Sequence, residues 1–401
     1  MSNLSWWPVP GVRLGTVKAG IKYPDCRDLV VMELAPDTRA AGVFTRNRFR
    51  AAPVAIAERH LAAAAPRYLL INTGYANAGT GEAGLRAAET SCDLVAGQGS
   101  CERNQVVPFS TGVIGEPLPL EPFRMGIPRA CAALSEHGWG EAAEGIMTTD
   151  TRPKIASRRA EIHGHTVTVT GMAKGAGMLK PDMGTMLAYI ATDVAIAPEL
   201  LNQWLHELAD ASFNAITVDG DTSTNDACML MATGQSGLAE ITDANSDAAA
   251  ALYEELARVF QDLARALVRD AEGASKFVEI RVDQARDAAD ARAVAETIAH
   301  SPLVKTALFA SDPNWGRILA AVGRAPVAEL DVDRVKIWLG DVLLVENGGV
   351  APGYREADGA AVMAREDILI HVSLGTGTAS TRVWTCDFSY DYVRINAEYR
   401  S

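Results

Sequence analysis

Residues 174–187 read KGAGMLKPDMGTML, and no other stretch restricts the fold so tightly. Glycines at 175, 177 and 184 reach backbone conformations closed to other residues, and Pro181 stops any helix from running through. Directly behind them, residues 186–192 are apolar and read as a buried strand. A tight loop entering a core strand is one reading. The other is chemical, because Thr185 places a single hydroxyl at the junction, where a chain can attack its own preceding carbonyl. The residues leave both readings open.

A chain of 401 residues exceeds one typical core and implies about two to three lobes. Apolar residues make up 48% and charged residues 22%, as in ordinary globular proteins. A net charge of −13 argues against nucleic acid as a partner. The nearest thing to a basic cluster is Arg46, Arg48 and Arg50, which is short and set beside apolar residues. A small anionic substrate stays compatible with that charge, since local cations such as Lys174 act against a negative whole. Six cysteines form no C-x-x-C pair and lie in apolar surroundings, so reduced thiols in the cytoplasm are expected. No secretory signal and no apolar run of about 18 residues is apparent, so no membrane association is expected.

Strands are expected over 28–35, 67–72 and 104–110, and helices over 82–97 and 120–136. Residues 155–173 read as a hairpin turning at Gly164. In 246–270, Leu252, Leu256, Val259, Phe260, Leu263 and Leu267 recur every three or four residues and define a core-facing helix. A strand (276–282), a helix (287–299) and late strands (335–346, 368–374, 380–388) complete a mixed α/β chain. The loop ending at Gly184 is the one convincing internal boundary.

Several short motifs admit chemistry. STGVIGE (110–116) follows a strand and is either a turn or a place where a backbone N–H and a hydroxyl converge, as an oxyanion site requires. TTDT (148–151) is either a local hydrogen-bonded turn or a set of hydroxyls facing substrate. DGDTSTND (219–226) starts like a calcium loop but has Thr224 at the sixth position and Leu230 at the twelfth, so calcium is rejected. Glu272 closes the long helix, where the helix dipole disfavours a carboxylate, so it is either solvated or kept for a ligand. The seven histidines form no metal pattern, and the glycine signatures of P-loop and serine-elbow sites are absent. No metal is expected.

Taken in order, these segments resemble the ornithine acetyltransferase family, also called bifunctional glutamate N-acetyltransferase, of arginine biosynthesis. The resemblance runs nearly end to end. It rests on AGVFTRNRFRAAPV (41–54), STGVIGE (110–116), IMTTDTRPK (146–154), MAKGAGMLKPDMGTML (172–187), FNAITVDGDTSTND (213–226), SPLVKTALFASDPNWGRILAAVG (301–323) and WTCDFSYDYVRINAEYRS (384–401). It implies a layered α/β sandwich similar to N-terminal-nucleophile hydrolases, with a second, smaller C-terminal α/β lobe. It also implies self-cleavage between Gly184 and Thr185, giving an α chain of 1–184 and a β chain of 185–401 that stay together as an α2β2 assembly.

In the implied reaction Thr185 is both nucleophile and, through its new α-amine, base. An amine of that kind has a pKa near about 8, whereas the peptide nitrogen before cleavage has no basicity. Acetyl passes from N2-acetylornithine to Thr185 and then to glutamate, with the oxyanion held by Thr111 and Gly112. Substrate-binding positions implied by motif are Thr148, Lys174, Thr185, Glu272, Asn396 and Ser401. By charge, Lys174 suits a substrate α-carboxylate and Glu272 the ornithine amine. No cofactor is implied, although some members take acetyl-CoA as acetyl donor. Four positions depart from the family pattern: Gly184 replaces Ala, Tyr75 replaces a polar Asn in NTGYANA (72–78), Ala271 replaces Gly, and Ser401 replaces Thr. Gly184 and Tyr75 leave room for a second enzyme reading, a Thr-nucleophile acyltransferase or amidase acting on another N-acyl amine. An uncleaved binding paralogue is the non-enzymatic alternative.

Overall fold

The structure, a computed structural model, describes residues 6–180 and 186–398. Gly184, Thr185 and Ser401 lie outside the described residues. The chain forms two compact units, 1–214 with 221–267 and 215–220 with 268–401.

In the first unit, β1 (Val12–Val17), β2 (Leu29–Leu34) and β3 (Arg39–Phe44) lead to helix α1 (Ala52–Ala63). Next come β4 (Tyr68–Asn72), α2 (Gly81–Gly99), β5 (Val106–Ser110), α3 (Glu121–Ala132) and α4 (Trp139–Gly145). The hairpin β6 (Lys154–Ile162) and β7 (His165–Lys174) precedes β8 (Leu187–Thr192), α5 (Pro198–Asp210), β9 (Ala227–Ala232) and α6 (Asp247–Arg269). Two sheets result, in the orders β1-β2-β4-β5 and β3-β9-β8-β7-β6.

The sheets face each other. Val30, Met32, Leu69, Ile71, Val107 and Phe109 of the first share a core with Met172, Tyr189, Ala191, Met229 and Met231 of the second. The intervening residues Leu29, Val31, Leu70 and Val106 point the other way, onto Cys92 and Val95 of α2 and Phe123 and Ile127 of α3. Strands buried on both faces therefore read as unbroken apolar runs. On the far side α6 covers the five-stranded sheet so closely that a Cβ at Gly171 would stand 3.0 Å from Leu263 Cδ1. Leu252, Leu256, Val259, Phe260, Leu263 and Leu267 are all fully buried, as their spacing required. The layers run α, β, β, α, as the resemblance implied. Helix α1 packs on the edge strands β5 and β3, and α4 on the edge strands β1 and β6.

The second unit contains β10 (Phe277–Ala285), α7 (Ala288–Ala299), α8 (Pro302–Phe309), α9 (Trp315–Gly323), β11 (Lys336–Leu339), β12 (Val342–Glu346), β13 (Gly349–Val350), α10 (Glu356–Met363), β14 (Asp367–Ser373), β15 (Ala379–Cys386) and α11 (Tyr390–Ala397). Its six-stranded sheet runs β13-β12-β11-β14-β10-β15, with β10 and β14 parallel. Val278, Ile280 and Val282 of β10 and Ile368, Ile370 and Val372 of β14 pack with Val294 and Ile298 of α7. This is the smaller α/β lobe.

Four expectations need correction. The compact units do not part at Gly184, because β7 and β8, on either side of that loop, are neighbours in one sheet. Residues 335–346 are two strands, folded back at Gly340, whose φ is +57°. The helix expected to 136 stops at Ala132, since Leu14 and Ser135 exchange backbone hydrogen bonds of 2.9 and 3.0 Å. The strand expected from 104 starts at Val106, because residues 103–105 form a 3-10 turn closed reciprocally by Glu102 and Gln105. The hairpin turns as expected: His163 and Gly164 both have positive φ, +48° and +80°, the requirement of a two-residue turn that matches strand twist.

Candidate active site

The oxyanion candidates stand where β5 ends. The Thr111 N–H donates to Asn72 C=O at 3.0 Å, so its backbone donor is already used. The Gly112 N–H has no acceptor among the described residues. Gly112 is obligatory for two reasons. Its φ is +134°, and a Cβ there would come within 2.2 Å of Gly74 C and 2.6 Å of Tyr75 N. What the turn offers is therefore the Gly112 N–H and the Thr111 hydroxyl, not two backbone donors.

The Lys174 ammonium, 4% exposed at the end of β7, donates to Thr111 Oγ1 at 3.1 Å. An oxygen that accepts from a cation turns its own hydrogen elsewhere, which suits Thr111 to donate. Behind Lys174 stands Asp150, whose role is only partly legible in the sequence. Burial opposes charge on Asp150, but the Lys174 and Lys154 ammoniums and the Gly175 N–H outweigh it, and the carboxyl sits below its ordinary range. Asp150 Oδ1 accepts from Lys154 Nζ at 2.5 Å and from Gly175 N at 2.8 Å, and Oδ2 accepts from Thr148 N at 3.0 Å. The carboxylate thus serves TTDT as a local turn and also fixes the start of β6 and the end of β7. Thr148 itself is exposed.

Lys174 pairs directly with Leu187, so the loop of residues 175–186 leaves and re-enters the sheet at one register position. Thr185 lies in that loop and is the second residue before Leu187. Parallel to β8 runs β9, with Ala227 opposite Leu187 and its N–H donating to Met186 C=O at 3.1 Å.

The second unit carries the other implied residues. Glu272 is 7% exposed and accepts from Asn396 Nδ2 at 2.8 Å, so the structure brings together two positions far apart in sequence. Gly273 makes this approach feasible: its φ is +69°, and a Cβ there would meet Ser389 Oγ at 2.5 Å. Tyr75, the departure from the family pattern, lays its ring under Lys22, with Nζ 5.6 Å from the centroid and 3.7 Å from Glu116. Asn72 and Ser110, each the first residue of a motif quoted above, were given no role in the sequence and brace the turn: Ser110 Oγ donates to Asn72 Oδ1 at 2.6 Å. No group of three His, Cys, Asp or Glu side chains fit to hold a metal occurs among the described residues, and none of their helices is long and apolar enough to cross a membrane.

Comparison with known proteins bears on this geometry. The model of the ArgJ family matches residues 13–401. The arginine biosynthesis bifunctional protein ArgJ of Methylococcus capsulatus is 54% identical over 401 residues, spanning 100% of this chain and 98% of the relative. A crystal structure of arginine biosynthesis bifunctional protein argJ from Bacillus halodurans matches at 37% identity and a TM-score of 0.50, over 53% of this chain and 98% of that one. Ornithine acetyltransferase of Mycobacterium tuberculosis, solved with ornithine, matches at 36% identity and a TM-score of 0.39, over 43% of this chain and 92% of that one.

Proposed function

The chain belongs to the ArgJ family, and we propose on that footing that it moves acetyl from N2-acetylornithine to glutamate through an ester on Thr185. It is an acetyltransferase of arginine biosynthesis. The observation that carries the mechanistic reading is the Lys174–Thr111 contact of 3.1 Å beside a Gly112 N–H with no acceptor among the described residues, at the strand end from which the Thr185 loop departs.

Maturation begins with Thr185 Oγ attacking the Gly184 carbonyl. The acyl group shifts from nitrogen to oxygen, water hydrolyses the ester, and Thr185 is left with a free α-amine. A solved relative matched over 98% of its own length by 53% of this chain supports half-length products. That amine then takes the Thr185 hydroxyl proton as Oγ attacks the acetyl carbonyl of N2-acetylornithine. Charge develops on the carbonyl oxygen and is met by the Thr111 hydroxyl and the Gly112 N–H, each donor worth about 3–4 kcal/mol in comparable sites. Collapse expels ornithine. The glutamate amine attacks the acetyl-Thr185 ester through the same donors, and N-acetylglutamate leaves.

Lys174 polarises Thr111 and offers charge to a substrate carboxylate. Thr148 and Ser401 supply hydroxyls, and the Glu272–Asn396 pair receives the ornithine amine. Acetyl-CoA as a second acetyl donor belongs to the same proposal. The Tyr75 ring spends a face on Lys22, which weakens the case for a different acyl substrate. We place the enzyme in the cytoplasm as α2β2; six free cysteines support a reducing compartment. The test is ornithine release from N2-acetylornithine on adding glutamate. Wild type is expected to release it and Thr185→Ala to release none; activity in Thr185→Ala would overturn the reading.

A further inference from the structure

We infer that Asn225 is a positioning residue that fixes the oxyanion donors against the nucleophile's sheet, an inference that rests on the roles given above to Thr111, Gly112 and Thr185. The difficulty it answers is geometric. Thr111 and Gly112 follow β5 in the four-stranded sheet, whereas Thr185 precedes β8 in the five-stranded sheet. Neither backbone ladder ties those two ends together, the Lys174 contact reaches only the Thr111 hydroxyl, and donors displaced by about 1 Å lose of order 100-fold in rate.

Asn225 stands two residues before Ala227, the partner of Leu187, and is 7% exposed. Its side-chain amide reaches across to the other sheet. Nδ2 donates to Ala76 C=O at 2.6 Å and to Ser110 C=O at 2.8 Å. Oδ1 accepts from Thr224 Oγ1 at 2.6 Å, which orients the amide. Both hydrogens are therefore committed to carbonyls that flank the donor turn: Ser110 precedes Thr111, and Ala76 sits in the turn against which Gly112 packs. Asn72 completes the brace, with its Nδ2 on Tyr75 C=O at 3.1 Å and its own carbonyl holding the Thr111 N–H at 3.0 Å. No charge and no substrate contact is needed for this role. A planar group with two hydrogens on one nitrogen and an acceptor beside it is, and among side chains of this length only asparagine supplies it.

Asn225→Asp keeps the shape and removes both hydrogens, and Asn225→Ser removes the amide altogether. The measurement is pre-steady-state ornithine release by full-length purified protein, with N-terminal sequencing to establish the cut and a thermal melt to establish folding. For either variant the expectation is a full burst amplitude per cut chain, kcat lowered about 100-fold or more, and KM for N2-acetylornithine within about threefold. A chain that stays uncut at an unchanged melting midpoint supports the inference too, since self-cleavage passes through an oxyanion at the same donors. A wild-type rate in both variants overturns it. So does a reduced burst amplitude with a wild-type rate per active chain, or an uncut chain that melts well below the parent, since either describes mere loss of fold. Thr185→Ala run alongside separates the two claims: if it is inactive while Asn225→Asp is unaffected, only the positioning role fails.

Discussion

Gly112 shows how space and backbone shape can both fix one residue at a position proposed for chemistry. Its Cβ would collide with the Gly74 carbonyl at 2.4 Å, its φ lies in the region that L side chains avoid, and its N–H has no acceptor among the described residues. Gly112→Ala must therefore push the turn away from the 74–75 peptide and carry the N–H with it. Loss of that donor is expected to lower kcat about 100- to 1,000-fold with KM little changed, as steady-state kinetics would show. Sequence reading proposed Thr111 and Gly112 as a pair but not a division of labour between them. Which backbone donor was already used depended on Asn72, nearly forty positions away, and no local pattern reports such a pairing.

At the scale of elements, the chain ends of β6 and β7 are locked by a charge cluster. Lys154 and Asp150 are both buried, with side chains 1% and 0% exposed, and Lys174 lies close enough to lower the Asp150 carboxyl. Asp150→Asn would remove the buried carboxylate that Lys154 and the Gly175 N–H share, a loss of about 3–5 kcal/mol in denaturant unfolding. The depressed Asp150 carboxyl fixes the sign of the pH effect. Its stabilisation is complete above the unfolded carboxyl's pKa and is lost as pH falls through the lower folded value, so from pH 5 to 8 this contribution stays flat. Element recognition depended on how clean each pattern was. The α6 stripe was legible because its period is set by residues that are all fully buried, and the β6–β7 hairpin because apolar and polar residues alternate in its second arm after a Gly-containing turn. By contrast β9, ACMLMA, drew no assignment, because alanine, cysteine and methionine carry little strand preference; burial between β3 and β8 makes it a strand.

Over the whole molecule, the proposed cut and the compact units obey different physics. The units divide where backbone contacts are sparse, near residue 267, whereas the cut between Gly184 and Thr185 falls inside the first unit. The pieces 1–184 and 185–401 would share both sheet ladders and core: β8 stays paired with β7 of the other piece from Leu187 to Thr192, and β9 with β3. The proposed self-cleavage is thus a chemical event within one sandwich, not a parting of two lobes. That explains why a strong sequence landmark at Gly184 misled as a boundary of packing while marking the proposed site of chemistry. The layering followed from the family resemblance, whereas composition and periodicity indicated only a mixed α/β chain. The most direct measurement is the mass of each chain after mixing the purified enzyme with N2-acetylornithine in the absence of glutamate. The expected result is one acetyl group on a chain that starts at Thr185, removed when glutamate is added. An active, uncut polypeptide, or acetyl carried on any other residue, would contradict it.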